Sequence, residues 1–165
     1  LIQGINGLTA VRNGISKTSP DLQDLLDKDK SLRQAVSKRE REERGRAFFN
    51  KVYAQLSDRI LKNMTLNSGG DLAEFAIDCV YGDLMAETSI LSEKDTGLSE
   101  YACCYASRAS PQAEGHMYGS RNLGNGKAEI SAVMEMCELI AKKLGMPMKR
   151  TGEPAWEFLH KLETW

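Results

Sequence analysis

Apolar residues recur every three or four positions along most of this chain, and almost nowhere do they alternate with polar ones. That spacing places them on one face of a helix, whereas half-buried strands would repeat every second residue. Ile2, Ile5, Leu8, Val11 and Ile15 form the first stripe, interrupted by Gly4, Gly7 and Gly14, each weakening a helix by about 1 kcal/mol against alanine. Ser19-Pro20-Asp21 predicts a helix start, because Ser can cap free amides and Pro at the first position lacks an amide that would go unpaired. A short helix over Leu22, Leu25 and Leu26 follows, then a second start at Ser31 ahead of Leu32, Ala35 and Val36. Phe49, Val52, Tyr53, Leu56 and Ile60 share one face, which predicts a long helix over residues 45–64 ended by Asn67-Ser68-Gly69-Gly70.

Asp71 is the expected cap of the next helix, where Leu72, Phe75, Ala76, Ile77, Cys79, Val80, Leu84 and Met85 leave only a narrow polar edge. A helix apolar on most sides belongs at the buried centre of a bundle. Ser92 and Asp95 have the spacing of a capping box, and Gly97 predicts a break before Leu98, Tyr101, Ala102 and Tyr105 resume a helical face. Ser110-Pro111 repeats the start signal, but Gly115, Gly119, Gly124 and Gly126 then predict a loop over residues 116–126. Ile130, Val133, Met134, Cys137, Ile140, Ala141 and Leu144 give the cleanest stripe, closed by Gly145 and Pro147. Pro154 opens a last short helix carrying Trp156, Leu159 and Leu162, and Trp165 is the aromatic ring expected to be exposed for docking.

These elements predict an all-α fold, a multi-helix bundle of seven to nine helices. It is divided into a basic N-terminal part, 1–70, and a C-terminal part, 71–165, packed as one unit or as two helical halves. Composition agrees: 18 Leu stand against five Val, and only four Pro occur in 165 residues. With 41% hydrophobic and 27% charged residues the chain is neither disordered nor collagenous. No apolar run approaches the about 18 residues of a membrane span, and the first residues lack a signal-peptide pattern. The chain opens at Leu1 and not at Met, which points to a piece of a longer product.

Charge sharpens the picture. Residues 1–70 carry 13 basic and eight acidic side chains, residues 71–100 one basic and eight acidic, although the formal net charge of the whole is only -1. Such a dipolar chain can pair its halves internally or set a basic face against a neighbour's acidic one. Arg12, Lys17, Lys38, Arg39, Arg41, Arg44, Arg46, Lys51 and Arg59 are the candidates for a membrane- or partner-facing surface, and Asp71, Glu74, Asp78, Asp83 and Glu87 for an acidic self-association face. The plainer reading is that these are solvated helix faces, with Glu40–Arg44 and Glu42–Arg46 pairs neutralising part of the run at 38–46. Phe48, Phe49 and Tyr53 follow that run and suit either base stacking or a core.

No catalytic or cofactor signature stands out, and the chain reads as non-enzymatic, without metal or cofactor. Cys103 and Cys104 are adjacent, so on a helix they point about 100° apart and cannot share one zinc ion. Cys79, Cys137, His116 and His160 are scattered, and the cysteines read as small buried apolar groups in a reducing compartment. Lys127-Ala128 after Gly124-Asn125-Gly126 lacks the hydroxyl and the preceding strand of a phosphate loop. An enzyme built on Asp78, Asp83 or His116 would require those groups to be buried and convergent.

The succession Phe49-Asn50-Lys51-Val52-Tyr53, Asp71-Leu72-Ala73-Glu74-Phe75-Ala76-Ile77-Asp78-Cys79, Tyr101-Ala102-Cys103-Cys104-Tyr105-Ala106 and Ala128-Glu129-Ile130-Ser131-Ala132-Val133-Met134-Glu135-Met136 resembles the matrix proteins of orthomyxoviruses. There too, cysteine-containing helices are followed by a His-containing loop and a Met- and Ala-rich helix. The Cys-x-x-Cys with two His of the influenza type is absent, so no zinc role carries over. The resemblance implies a viral matrix-like structural protein in the virion, at the inner face of the envelope, present in host cytoplasm and nucleus during infection. It would self-polymerise as a homo-oligomer and touch an anionic membrane surface and viral ribonucleoprotein. The rival expectation is a soluble helical adaptor or nucleic-acid-binding module using the same basic run.

Overall fold

Helix caps and glycines, more than the apolar stripes, decide where the elements begin and end. The computed structural model describes residues 2–27, 36–146, 148 and 150–165, and contains no strand among them. The protein is an all-α multi-helix bundle. It separates into two compact units, Leu1–Gln34 and Ala35–Trp165.

In the first unit α1 spans Ile2–Thr18 as expected, its glycines notwithstanding, and Ile5, Leu8 and Val11 are exposed along it. A 3-10 turn at Pro20–Leu22 leads into α2, Gln23–Leu26; Pro20 opens the turn, but Ser19 makes no side-chain cap. Arg12 pairs with Asp27. The start expected at Ser31, with Leu32 and Ala35, lies outside the described residues.

The second unit opens with α3, Lys38–Tyr53, capped by the Ser37 hydroxyl, which accepts from the Glu40 amide at 3.2 Å. The charge run and the Phe49–Val52 stripe thus share one helix. That helix does not continue to residue 64. Ala54 takes φ 46° and ψ -123°, a conformation an L-residue occupies only under constraint, and a turn at Ala54–Leu56 re-aims the chain into α4, Ser57–Ser68. Gly69 then ends α4 in the left-handed conformation, φ 66°, as its sequence predicts.

Asp71 does not cap α5, Asp71–Phe75; Gly70 holds the cap position and the Ser68 hydroxyl takes the Leu72 amide at 2.9 Å. From Ala76 to Met85 the helix widens to π geometry, a rare form that is frequent at functional sites. Its inner face buries Ile77, Asp78 and Tyr81, but Leu72, Phe75 and Leu84 are exposed, so this segment lines the core on one side and is not its centre.

α6 spans Glu93–Ala106 behind the expected Ser92–Asp95 capping box, α7 Ser110–Asn122 and α8 Lys127–Lys143. The glycines at 97, 115 and 119 break neither α6 nor α7. A Cβ on Gly97 would lie 2.9 Å from Leu123 Cδ1, and one on Gly119 would lie 2.7 Å from Val52 Cγ1. Both glycines serve close helix crossings, and the expected loop at 116–126 shrinks to residues 123–126. A 3-10 segment, Pro154–Thr164, closes the unit. Two apolar clusters result, one of Phe48, Phe49, Val52, Leu61, Ile77, Tyr81 and Leu123, the other around Tyr101, Tyr105, Met117, Ile130 and Trp156. Trp165 is not free for docking: its ring packs on Tyr118, and the Arg121 guanidinium sits 4.4 Å above it.

Candidate functional site

Of the residues singled out by charge, most are occupied within the molecule. Arg41 meets Asp83 at 2.8 Å and Arg44 approaches it at 4.0 Å while donating to the Gly82 carbonyl at 2.6 Å. Lys38 pairs with Glu74, Lys51 with Glu93 and Arg39 with Glu43. The basic helix and the acidic segment therefore neutralise each other across one fold. Glu87 accepts from Ser89, Asp71 lies in the first turn of α5, and Asp78 is buried at the edge of a pocket it shares with Lys38 and Arg46. Lys17 lies in the last turn of α1, and Arg59 in the first turn of α4. Phe48 and Phe49 are core residues, so base stacking is closed to them. Cys79 and Cys103 are exposed and Cys104 and Cys137 half-buried, which corrects the reading of all four as buried. Among the described residues no three His, Cys, Asp or Glu side chains gather as a metal-ligand group.

Titratable groups converge elsewhere, where α3, the π segment, α6 and α7 meet. His116 Nδ1 lies 3.2 Å from Glu100 Oε2, with the two side chains only 15% and 11% exposed. α6 and α7 form a tight antiparallel hairpin about Arg108, which adopts φ 61°. Glu100 and His116 stand eight residues to either side of it, so the hairpin's register brings them face to face. The other Glu100 oxygen, Oε1, is shut off from solvent and has no hydrogen-bond partner. A buried acceptor of this kind is costly unless something donates to it.

Two phenols complete the cluster. The Tyr81 hydroxyl donates to that of Tyr53 at 3.0 Å, which leaves the Tyr53 proton free for a further acceptor, and the Tyr53 ring lies 6.1 Å from the His116 ring. Burial raises both phenols above their usual range, and the charge of Glu100 adds to it, so both remain protonated donors at neutral pH. Cys104 is one helical turn beyond Glu100, and burial followed by the neighbouring Cys103 and Glu100 pushes its thiol upward. A thiol held protonated in this way is a poor nucleophile.

Tyr53 joins this cluster to open space. It lines a cleft of about 520 Å³ together with Val52, Leu56, Arg59, Pro111 and Tyr118. The Asn122 amide donates to the Val52 carbonyl at 2.9 Å, which ties the end of α3 to α7 and fixes Tyr53 beside the strained Ala54. Of the residues singled out in the sequence, His116, Tyr53 and Cys104 belong to this cluster, but for other roles and with His116 expected in a loop; Glu100 and Tyr81 carry no sequence signal of a site. Treating residues 110–122 as helical and folding the hairpin about residue 108 would have paired Glu100 with His116.

The chain is 30% identical over 106 residues to Peroxisomal protein 2 of Schizosaccharomyces pombe, covering 64% of this chain and 49% of that protein. It is 32% identical over 105 residues to Peroxisomal protein 2 of Saccharomyces cerevisiae, 64% of this chain and 37% of that protein. It thus spans about half or less of the length of these curated relatives. No family model and no solved structure matches it. Similarity to peroxisomal proteins of yeasts overturns the resemblance to orthomyxovirus matrix proteins. With it go the viral structural function and the location beneath a virion envelope. Helix order and scattered Cys, Ala and Met residues, which carried that resemblance, are common to many α-bundles.

Proposed function

We propose that this chain is the catalytic core of a peroxisomal protein that moves protons on a small molecule, which departs from the non-enzymatic expectation. The observation that carries the reading is the half-buried Glu100–His116 pair, with an orphaned carboxylate oxygen, standing behind a tyrosine that opens on a cleft. The name of the yeast relatives supports the compartment.

With Nδ1–H donated to Glu100, His116 keeps Nε2 as the base; His116 does not itself line the cleft, so the substrate has to reach it past Tyr53. Nε2 takes a proton from a carbon next to a substrate carbonyl, and the C–H electron pair moves onto the carbonyl as an enolate. Glu100 stabilises the imidazolium formed, and the Tyr53 phenol, itself held by Tyr81, donates to the enolate oxygen. Return of the proton from Nε2 to carbon completes the cycle with no redox partner. The test is deuterium incorporation from heavy water into ketones and oxo acids bearing such hydrogens. Exchange above background that disappears in His116→Gln supports the reading; exchange unchanged in that variant overturns it.

A second reading, an adaptor, is favoured by the exposed apolar residues Met136, Leu139 and Ile140 on α8 and Leu144 at its C-cap. Leu139→Glu would then abolish self- or partner association in sedimentation while leaving the His116 chemistry intact.

A further inference from the structure

Arg59 is in the first turn of α4, exposed, on the wall of the cleft that Tyr53 lines. Most of the cations on α3 have a carboxylate partner, whereas Arg59 makes no ion pair among the described residues. The other charged group of the cleft is Glu114, and it is engaged by Lys161 at 3.6 Å. The remaining walls come largely from Leu56, Ile60, Pro111 and the Tyr118 ring. The cleft therefore presents one unengaged positive charge on an apolar surface.

From this we infer that the cleft binds an apolar carboxylic acid as its monoanion, with Arg59 as counter-charge and the chain laid along Leu56, Ile60 and Pro111. The inference rests on the proposed acid–base site and names the substrate class for it. A guanidinium offers two parallel donors that match a carboxylate. A phosphate dianion is disfavoured, since one arginine cannot balance it and Glu114 faces the same space. A carboxylate held at Arg59 leaves the rest of the molecule to reach Tyr53, whose phenol is the link to His116.

The experiment is calorimetric titration of the whole chain with hexanoate, the isosteric hexanamide and hexyl phosphate. Hexanoate is expected to bind about tenfold more tightly than hexanamide, the gain typical of one charge-assisted contact. Arg59→Gln should erase that preference and Arg59→Lys restore part of it. Equal binding of acid and amide, a preference that survives Arg59→Gln, or tighter binding of hexyl phosphate would each overturn the inference. Normal hexanoate selectivity together with proton exchange that ignores His116 would sink the acid–base reading alone, while lost selectivity with intact His116-dependent exchange would sink only the carboxylate site.

Discussion

Gly45 and Gly82 bring α3 and the π segment together at backbone contact. A Cβ on Gly45 would stand 2.8 Å from the Gly82 amide nitrogen and closer still to the Ile77 carbonyl, and a Cβ on Gly82 would stand 2.5 Å from the Arg41 carbonyl. Backbone cannot rotate aside as a side chain can, so one methyl group must separate the two elements. Gly45→Ala is expected to destabilise the protein by about 3 kcal/mol or more, the upper end of overpacking costs. Urea unfolding checks it. Because Tyr81 lies on the displaced segment, the same variant should also loosen the Tyr81–Tyr53 hydrogen bond, visible as weaker near-ultraviolet dichroism.

Arg150 is 2% exposed, among the largest side chains of the core, with its guanidinium 5.4 Å above the Trp156 ring and 5.8 Å above that of Tyr105. Glu153 approaches it at 3.7 Å, yet its Nε has no partner. Arg150→Ala removes ring contacts, an ion pair and volume together, for an expected loss of about 3–5 kcal/mol. Arg150→Met fills the volume and spares the unpaired Nε, so it should recover more than half of that loss. Chemical denaturation of the two variants separates packing from charge.

The helical class was legible because the apolar period of three to four persists through nearly every segment, and caps such as Ser92–Asp95 and Gly69 fell where the sequence put them. What misled was glycine. Gly97, Gly115 and Gly119 read as breaks because isolated glycine weakens a helix, but Gly97 and Gly119 are places where another element touches the backbone, a property of the pair and not of the sequence around either partner. Misreading residues 116–126 as a loop removed His116 from the face it shares with Glu100. Ala54 failed in the opposite sense: nothing about an alanine within an apolar stripe announces φ 46°. The charge map was correct as arithmetic, but only tertiary structure reveals that Asp83 already lies against Arg41 and Arg44.

Four of the five tyrosines, Tyr53, Tyr81, Tyr101 and Tyr105, have phenols raised in the fold, with burial the first cause in each case. Above the ordinary phenol value of about 10 the unfolded chain releases these protons while the folded one keeps them. The folded state then binds more protons than the unfolded one, so stability falls as pH rises. It is fully present below that value and declines steeply above it. Thermal melts across the alkaline range should show this, and the tyrosinate absorbance of these four residues should appear together with unfolding and not before it. Tyr101→Phe, which removes a buried hydroxyl without a partner, should shift the alkaline transition upward.

Glu100 separates what the fold prefers from what the site requires. Its side chain is half-buried, one carboxylate oxygen contacts His116, and the other has no hydrogen-bond partner. Glu100→Gln keeps the shape and an oxygen for the His116 Nδ1 proton but replaces the carboxyl group that has an unpartnered oxygen with a neutral amide. The variant should unfold at a temperature no lower than the wild type and up to about 1 kcal/mol more stable, as removal of functional strain often allows. The neutral amide cannot balance an imidazolium, so deuterium exchange should drop about 100-fold, the lower range for general acid–base groups. Scanning calorimetry paired with the exchange assay reads both. A variant that lost stability and kept its exchange would identify the Glu100–His116 contact as a structural bond of the hairpin and remove the ground for assigning it chemistry.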